Sequence, residues 1–235
     1  METLNIGVDL GAVFQIESVN ENQTTYLKGI LFSFLKHMLV LNHQVVDIVI
    51  FSTADPSISL RVFESLSHYN LPVEQVIFTG GESVLPYLKS LEVEVYLSID
   101  SSAVAKAQSI GILAGIVSNQ DACLPLTIAF DHRLFLDEVT YVGLGKWLPL
   151  LGFVQQQDKR SLSIELMTTR SYSVDRWIKD LFLNSQCKVN AVCFIASGRG
   201  EDLLSLFDVN VYFEGGRRDE ISPLPTSKCV LNIDF

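Results

Sequence analysis

The strongest constraint on the fold is an alternation of short β-rich runs with helical patterns that is written twice along the chain. Residues 116 positions apart match without a gap, and the matches fall mostly on apolar positions: Phe14 and Phe130, Ile48 and Ile164, Phe78 and Phe194, Tyr96 and Tyr212. Two copies of one fold must share apolar core positions, so this clustering indicates an internal repeat. We therefore predict one unit over residues 1–119 and a second over residues 120–235.

The β-rich runs are nearly continuous in valine, isoleucine, leucine and phenylalanine. They cover residues 12–16, 45–51, 75–79, 93–99 and 111–117 in the first half, and residues 127–131, 162–167, 191–196, 209–213 and 229–233 in the second. Leu27 to Met38 and Leu144 to Val154 carry apolar residues at helical spacing after the first run of each half. Buried strands joined by crossover helices predict an α/β fold of two tandem Rossmann-like units with parallel sheets.

Composition narrows the classes of partner. The 235 residues are 48% hydrophobic and carry a net charge of -10, which argues against a nucleic-acid partner but leaves small phosphorylated ligands open. No signal peptide opens the sequence, and no apolar stretch reaches the about 18 residues of a membrane span, so we expect a cytoplasmic protein without a membrane partner. The four cysteines lack metal-ligand spacing, and we expect neither a disulfide nor zinc.

Polar residues follow the predicted strands of the second half, where ligands bind in such folds. They are Asp131 and His132 after the first strand, Thr168 and Thr169 after the second, Gly198 and Arg199 after the third, and Glu214 after the fourth. Carboxylates can attack phosphorus or hold Mg²⁺, while hydroxyls and turn amides bind phosphoryl oxygens. An ordinary structural reading stays open for each, with Asp131 as a cap and Gly198 as a turn glycine.

Several stretches resemble the cytosolic 5′-nucleotidase I family. The most specific are Ser67-His68-Tyr69-Asn70 and Thr79-Gly80-Gly81, and the similarity continues through Ala129-Phe130-Asp131 and the run from Leu166 to Ser171. The resemblance implies a haloacid-dehalogenase-like fold and Mg²⁺-dependent hydrolysis of nucleoside monophosphates. It also implies that Asp131 is the nucleophile and that Thr168 binds phosphate.

The chain departs from the family pattern at several positions. The family's F-D-G-D motif supplies a second aspartate as general acid and base, but this chain has Arg133 there, which can do neither at neutral pH. The family's lysine falls on Gly200 beside Arg199, and its closing aspartate pair falls on Glu214 and Gly215. Arg199 could replace the lysine, Glu214 one metal ligand beside Asp131, and His132 the proton donor.

The first half contributes less to the predicted site. Gln15 stands where the repeat places the nucleophile, Asp9 reads as a structural residue, and Lys89 is a candidate phosphate ligand. The leading hypothesis is a 5′-nucleotidase-family protein with an eroded site that binds a nucleotide or phosphate-bearing ligand with weak or no hydrolysis. The alternatives are an active Mg²⁺-dependent 5′-nucleotidase and a non-catalytic interaction module. A homo-oligomer or a protein partner stays open.

Overall fold

The computed structural model describes residues 3–16, 25–41, 45–118, 125–135, 142–158, 160–168, 176–194 and 208–215. The chain divides into two compact units, Met1–Ala122 and Cys123–Phe235. In the described part, no helix is both long enough and apolar enough to span a membrane.

The first unit is built on five parallel strands in the order β7-β6-β1-β4-β5. Its elements in chain order are β1 (Leu4–Asp9), α1 (Leu10–Val13), β2 (Phe14–Gln15), β3 (Leu27–Lys28), α2 (Phe32–Leu41), β4 (Val46–Ser52), α3 (Ser59–His68), β5 (Gln75–Phe78), α4 (Leu85–Ser90), β6 (Val95–Ser98), α5 (Ser101–Ser109) and β7 (Leu113–Val117). The short strands β2 and β3 pair antiparallel with each other.

The second unit has four parallel strands in the order β10-β9-β8-β11. Its elements are β8 (Leu126–Asp131), a 3-10 turn (His132–Phe135), α6 (Val142–Gln157), β9 (Leu162–Thr168), α7 (Arg176–Asn184), β10 (Ala191–Phe194) and β11 (Val211–Phe213). In its core the rings of Phe130 and Phe213 stack 5.0 Å apart on the neighbouring strands β8 and β11.

The prediction of an α/β protein with parallel strands is confirmed. All residues of β6, β7 and β11 are buried, which is the burial expected when helices cover both faces of a parallel sheet. The helical spacing of Leu144 to Val154 lies within α6. The predicted run over residues 229–233 lies outside the described residues.

The first predicted strand was wrong. Residues 12–16 contain the end of α1 and the two-residue β2, whereas the first strand of the sheet is Leu4–Asp9. Asn5 and Gly7 interrupt the apolar pattern of β1, but Gly7 is needed because a Cβ atom there would lie 2.9 Å from the ring of Phe51. Close packing against that ring explains a glycine inside a buried strand.

The register of the first strand changes the comparison between the two units. Asp9 at the end of β1 lies opposite Phe51 of β4, and Asp131 at the end of β8 lies opposite Met167 of β9. The orders β5-β4-β1-β6 and β10-β9-β8-β11 are the same. Asp9, not Gln15, therefore occupies the strand position of Asp131, so a gap-free alignment fails at this strand. The repeat itself stays a prediction.

Helix α2 begins later than its sequence pattern indicates. Leu27, the first residue of that pattern, belongs to β3 and has 44% of its surface exposed, and the helix starts at Phe32. Gly29 lies between the two elements, and a Cβ atom there would meet the Ala12 carbonyl oxygen at 2.6 Å. Because the backbone at Gly29 lies this close to Ala12, the helix does not extend back to Leu27 and begins at Phe32.

Candidate functional site

The candidate site lies at the carboxyl end of β8, where the chain order reverses. From β8 the chain proceeds to β9 and β10 on one side, and then to β11 on the other side. In open parallel sheets, such a reversal leaves a crevice outside the strand ends that commonly binds ligands. Asp131 is the last residue of β8, at this reversal, and is 2% exposed.

Both oxygens of the Asp131 carboxylate accept hydrogen bonds. Oδ1 accepts from the backbone N–H of Arg133 at 2.8 Å. Oδ2 accepts from Nε of Arg133 at 2.8 Å, from Nη2 of the same guanidinium, and from the Tyr212 hydroxyl at 3.1 Å. Three of the four donors meet Oδ2 and one meets Oδ1, so the protein engages Oδ2 fully and Oδ1 in part.

The position of Arg133 follows from the local backbone. The bond from its N–H to Asp131 closes a tight turn at the strand end, and the 3-10 turn over His132–Phe135 begins there. Gly215, just beyond β11, packs against this turn so closely that a Cβ atom would lie 2.1 Å from the Leu134 nitrogen. The turn therefore holds the guanidinium against the carboxylate.

Electrostatics agree with this pairing. Burial by itself raises the pKa of Asp131, but the His132 side chain and the hydrogen bonds and charge of Arg133 outweigh burial and lower that pKa below its ordinary value. Hydrogen bonding to Asp131 raises the pKa of Arg133, and the charge of Glu214 adds to the increase. The pair is therefore ionised at neutral pH.

Tyr212 is the third member of this group. Burial raises the pKa of its hydroxyl, and the negative charges of Asp131 and Glu214 raise it further. The hydroxyl therefore stays protonated at neutral pH and acts as a hydrogen-bond donor to Asp131. Tyr212 belongs to β11, which pairs directly with β8, so its hydrogen bond to Asp131 links the ends of two neighbouring strands.

His132 is buried beside the carboxylate, with 5% of its surface exposed. Its Nδ1 lies 3.4 Å from Oδ1 of Asp131, close enough for an ion pair but without the alignment of a hydrogen bond. Within the described residues this nitrogen has no hydrogen-bond partner. The proton-donor role of His132 stays a prediction, and its burial limits contact with a ligand.

The other predicted site residues divide into three groups. Thr168 ends β9 next to Met167, the partner of Asp131, and is 4% exposed, and Glu214 follows β11 in a half-buried position. Lys89 is exposed on α4 of the first unit. Thr169, Gly198 and Arg199 lie outside the described residues, so their predicted phosphate contacts stay predictions.

A magnesium ion at Asp131 would compete with protein donors for the carboxylate oxygens. Mg²⁺ binds through carboxylate oxygens, water and substrate phosphate. Both oxygens of Asp131 accept protein hydrogen bonds, and Glu214 acts electrostatically on the same guanidinium. Over the described ranges, no three or more histidine, cysteine, aspartate or glutamate side chains come together as a metal group. As arranged, these residues do not fit the ion.

The first unit places a carboxylate at the equivalent strand position with different partners. Asp9 Oδ1 accepts from the Gly11 N–H at 2.7 Å, and Oδ2 accepts from the Ser98 hydroxyl at 2.8 Å. Burial raises the pKa of Asp9, and these two hydrogen bonds offset the increase only in part. The side-chain donor to Asp9 is thus a neutral hydroxyl, whereas the side-chain donors to Asp131 include a positively charged guanidinium.

A cavity of about 390 Å³ opens at this end of the first unit. Its polar lining includes Asp9, Thr53, Ser83, Asp100 and Lys106. Lys89, the candidate phosphate ligand of the first unit, is not among the residues that line this cavity. Three carboxylates, from Asp9, Glu82 and Asp100, face one ammonium group, which disfavours an anionic ligand.

Sequence reasoning missed four residues that the structure brings to the strand ends: Asp9, Ser98, Arg133 as a partner of Asp131, and Tyr212. A signal for Tyr212 was present, since Tyr96 and Tyr212 match across the two halves. No pattern in the sequence indicates that the Arg133 side chain folds back onto Asp131. That contact depends on the turn and on the close approach of Gly215.

Comparisons with known proteins agree with the resemblance found in the sequence. A family model described as 5′-nucleotidase matches residues 9–141, more than half of the chain, and this range contains both Asp9 and Asp131. Cytosolic 5′-nucleotidase 1B of Homo sapiens is 27% identical over 141 residues. The match covers 53% of this chain and 23% of that relative, so the chain spans less than a quarter of the relative's length.

Proposed function

Because this chain belongs to the 5′-nucleotidase family, we propose that it binds a nucleotide or another phosphate-bearing ligand and hydrolyses it weakly or not at all. The observation that carries this proposal is the engagement of the Asp131 carboxylate by Arg133 and Tyr212. An attacking carboxylate needs a lone pair directed at phosphorus. Here most of the lone pairs are directed at protein donors, since three donors meet Oδ2 and one meets Oδ1.

The position of Arg133 also supports weak hydrolysis. An aspartyl-phosphate route requires a group that protonates the leaving oxygen and later activates water. A guanidinium stays protonated at neutral pH, and Asp131 raises the pKa of this one further. His132 also lies beside Asp131, but it is buried.

Binding is favoured by features that do not depend on catalysis. The strand order reverses at β8, which leaves a crevice where Asp131, Thr168 and Glu214 end or follow neighbouring strands. The nucleoside monophosphate class follows from the family, and Thr169, Gly198 and Arg199 remain the proposed phosphate ligands.

The test combines binding with phosphate release. AMP and IMP binding would be measured by titration calorimetry, and phosphate release would be followed with Mg²⁺ present, for the wild type and for Asp131→Asn. We expect saturable binding of at least one nucleotide and no difference in phosphate release between the two proteins. The exposed Asp180→Asn serves as the matched control.

Two outcomes would contradict the proposal. The absence of nucleotide binding would remove the binding function and favour the interaction-module alternative. Phosphate release that disappears in Asp131→Asn but persists in Asp180→Asn would establish the active Mg²⁺-dependent 5′-nucleotidase instead.

A further inference from the structure

The guanidinium of Arg133 occupies Oδ2 of Asp131, an oxygen that a metal ion bound to this carboxylate would compete for. It contacts Oδ2 through two nitrogens, while the backbone N–H of the same residue contacts Oδ1. One residue thus supplies three of the four donors to the carboxylate. The Tyr212 hydroxyl supplies the fourth.

Two carboxylates act on the guanidinium of Arg133. Asp131 contacts Arg133 directly, and Glu214 is close enough to raise its pKa. These are the two carboxylates that the sequence suggested as metal ligands. Both act on one positive charge that belongs to the chain itself, Asp131 by direct contact and Glu214 electrostatically.

Burial makes the pairing difficult to replace. The Asp131 side chain is 3% exposed and that of Arg133 is 22% exposed. An incoming divalent ion would have to lose water and also displace a charged partner whose hydrogen bonds are already made. The ion would gain little from a carboxylate that is already neutralised.

We propose that Arg133 is a built-in cation that takes the place of Mg²⁺ in the second unit, and that its removal uncovers a divalent-cation site formed by Asp131 and Glu214. This inference rests on the proposed function and identifies Arg133 as the source of the positive charge beside Asp131. It predicts that the wild-type protein has no affinity for divalent cations that depends on Asp131.

The experiment measures Mn²⁺ binding, because Mn²⁺ favours the same oxygen ligands as Mg²⁺ and is observed directly by electron paramagnetic resonance. The proteins are the wild type, Arg133→Gln, and Arg133→Gln combined with Asp131→Asn. Arg160→Gln is the matched control, since Arg160 is exposed on the turn before β9. Competition with Mg²⁺ tests whether the same site takes both ions.

We expect Arg133→Gln to bind Mn²⁺ more than about 10-fold more tightly than the wild type, because a positive charge next to two carboxylates has been removed. The double variant loses that gain, and Arg160→Gln behaves as the wild type. A folded Arg133→Gln protein without increased Mn²⁺ affinity would overturn the inference.

A second measurement tests the inference even if Arg133→Gln fails to fold. Mn²⁺ binding to the wild type that is lost in Asp131→Asn would show that Arg133 does not exclude the ion, and would overturn the proposal. Equal, weak Mn²⁺ binding by these two proteins supports it. Because Mn²⁺ is measured without nucleotide, these outcomes are distinguishable from a failure of nucleotide binding.

Discussion

Asp9 and Asp131 end the central strands of their units at the same register, but the carboxylate of Asp131 meets a guanidinium where that of Asp9 meets a serine hydroxyl. Asp9 lies opposite Phe51 and Asp131 opposite Met167. Each also accepts a hydrogen bond from the backbone N–H two residues later. The same backbone geometry thus gives two carboxylates with opposite pKa shifts, raised for Asp9 and lowered for Asp131.

Replacing Asp131 with asparagine should destabilise the protein at neutral pH. The change removes the negative partner of Arg133 and turns one acceptor into a donor that faces Arg133 or Tyr212. We expect a loss of about 1–3 kcal/mol in the free energy of unfolding. Urea unfolding at pH 7 measures it, and an unchanged midpoint would contradict the stabilising role of the pair.

The difference between the wild type and Asp131→Asn should shrink in acid. The pKa of Asp131 is lowered in the folded state, so its stabilising contribution is present above the unfolded pKa of about 3.9 and is lost as pH falls through the folded pKa. Urea unfolding from pH 7 down to pH 3 checks this expectation. A constant difference over that range would mean that the ion pair is not its source.

Replacing Asp9 with asparagine should stabilise the protein at neutral pH, in contrast to the replacement of Asp131. Because burial raises the folded pKa of Asp9, its contribution is fully favourable below the unfolded pKa and is lost as pH rises through the folded pKa. At pH 7 the wild type bears the cost of a buried ionised carboxylate. We expect Asp9→Asn to unfold at higher urea concentration than the wild type at pH 7, with less gain at pH 4.

The matched control for Asp9→Asn is Asp47→Asn on β4, since Asp47 is exposed and pairs in register with Asn5 of β1. It should leave stability within about 0.5 kcal/mol of the wild type. A destabilised Asp9→Asn protein at pH 7 would instead mean that the hydrogen bonds from Gly11 and Ser98 need a charged acceptor.

Replacing Tyr212 with phenylalanine should weaken the same group without changing its charge. The hydroxyl donates to Asp131 from a buried position, and its loss should reduce the free energy of unfolding by about 0.5–1.5 kcal/mol. In a double-mutant cycle with Asp131→Asn, the two losses should add to more than the loss of the double variant. Strict additivity would show that the two side chains are not coupled.

Replacing Gly215 with alanine should displace the turn that carries Arg133. The new Cβ atom would lie 2.1 Å from the Leu134 nitrogen and 2.6 Å from the Arg133 carbonyl carbon, so the backbone must move. We expect a loss of about 1–3 kcal/mol, measured by thermal or urea unfolding. Gly145→Ala is the control: no atom lies within 4 Å of its Cβ position, and as a helical site in α6 it should gain about 0.5–1 kcal/mol.

The parts of the fold that the sequence predicted are those with a strong local pattern. The apolar runs over β4, β5, β6 and β9 and the apolar spacing of α6 were evident because each element repeats one residue class at its own period. Strand β1 was missed because Gly7 and Asn5 break that period. Gly7 is there for a ring that arrives from β4, which local sequence does not reveal.

The candidate site was predicted in its residues but not in its chemistry. The resemblance pointed to Asp131 and Thr168, and the strand ends place both at adjacent positions of the sheet. The sequence also indicated that Arg133 stands where an acidic group was expected. It gave no indication that the guanidinium turns back onto Asp131, or that Tyr212 completes the group from β11.

The order of residues alone determined the α/β class, the parallel strands and the family, because burial periodicity and short motifs are local properties of the chain. Only the tertiary structure decided which charges meet. The pKa of a carboxylate at a strand end is raised or lowered by side chains that approach it from other strands and turns. Coulombic and desolvation energies change steeply over a few ångströms. Distances on that scale are set by packing, as Gly7 and Gly215 illustrate.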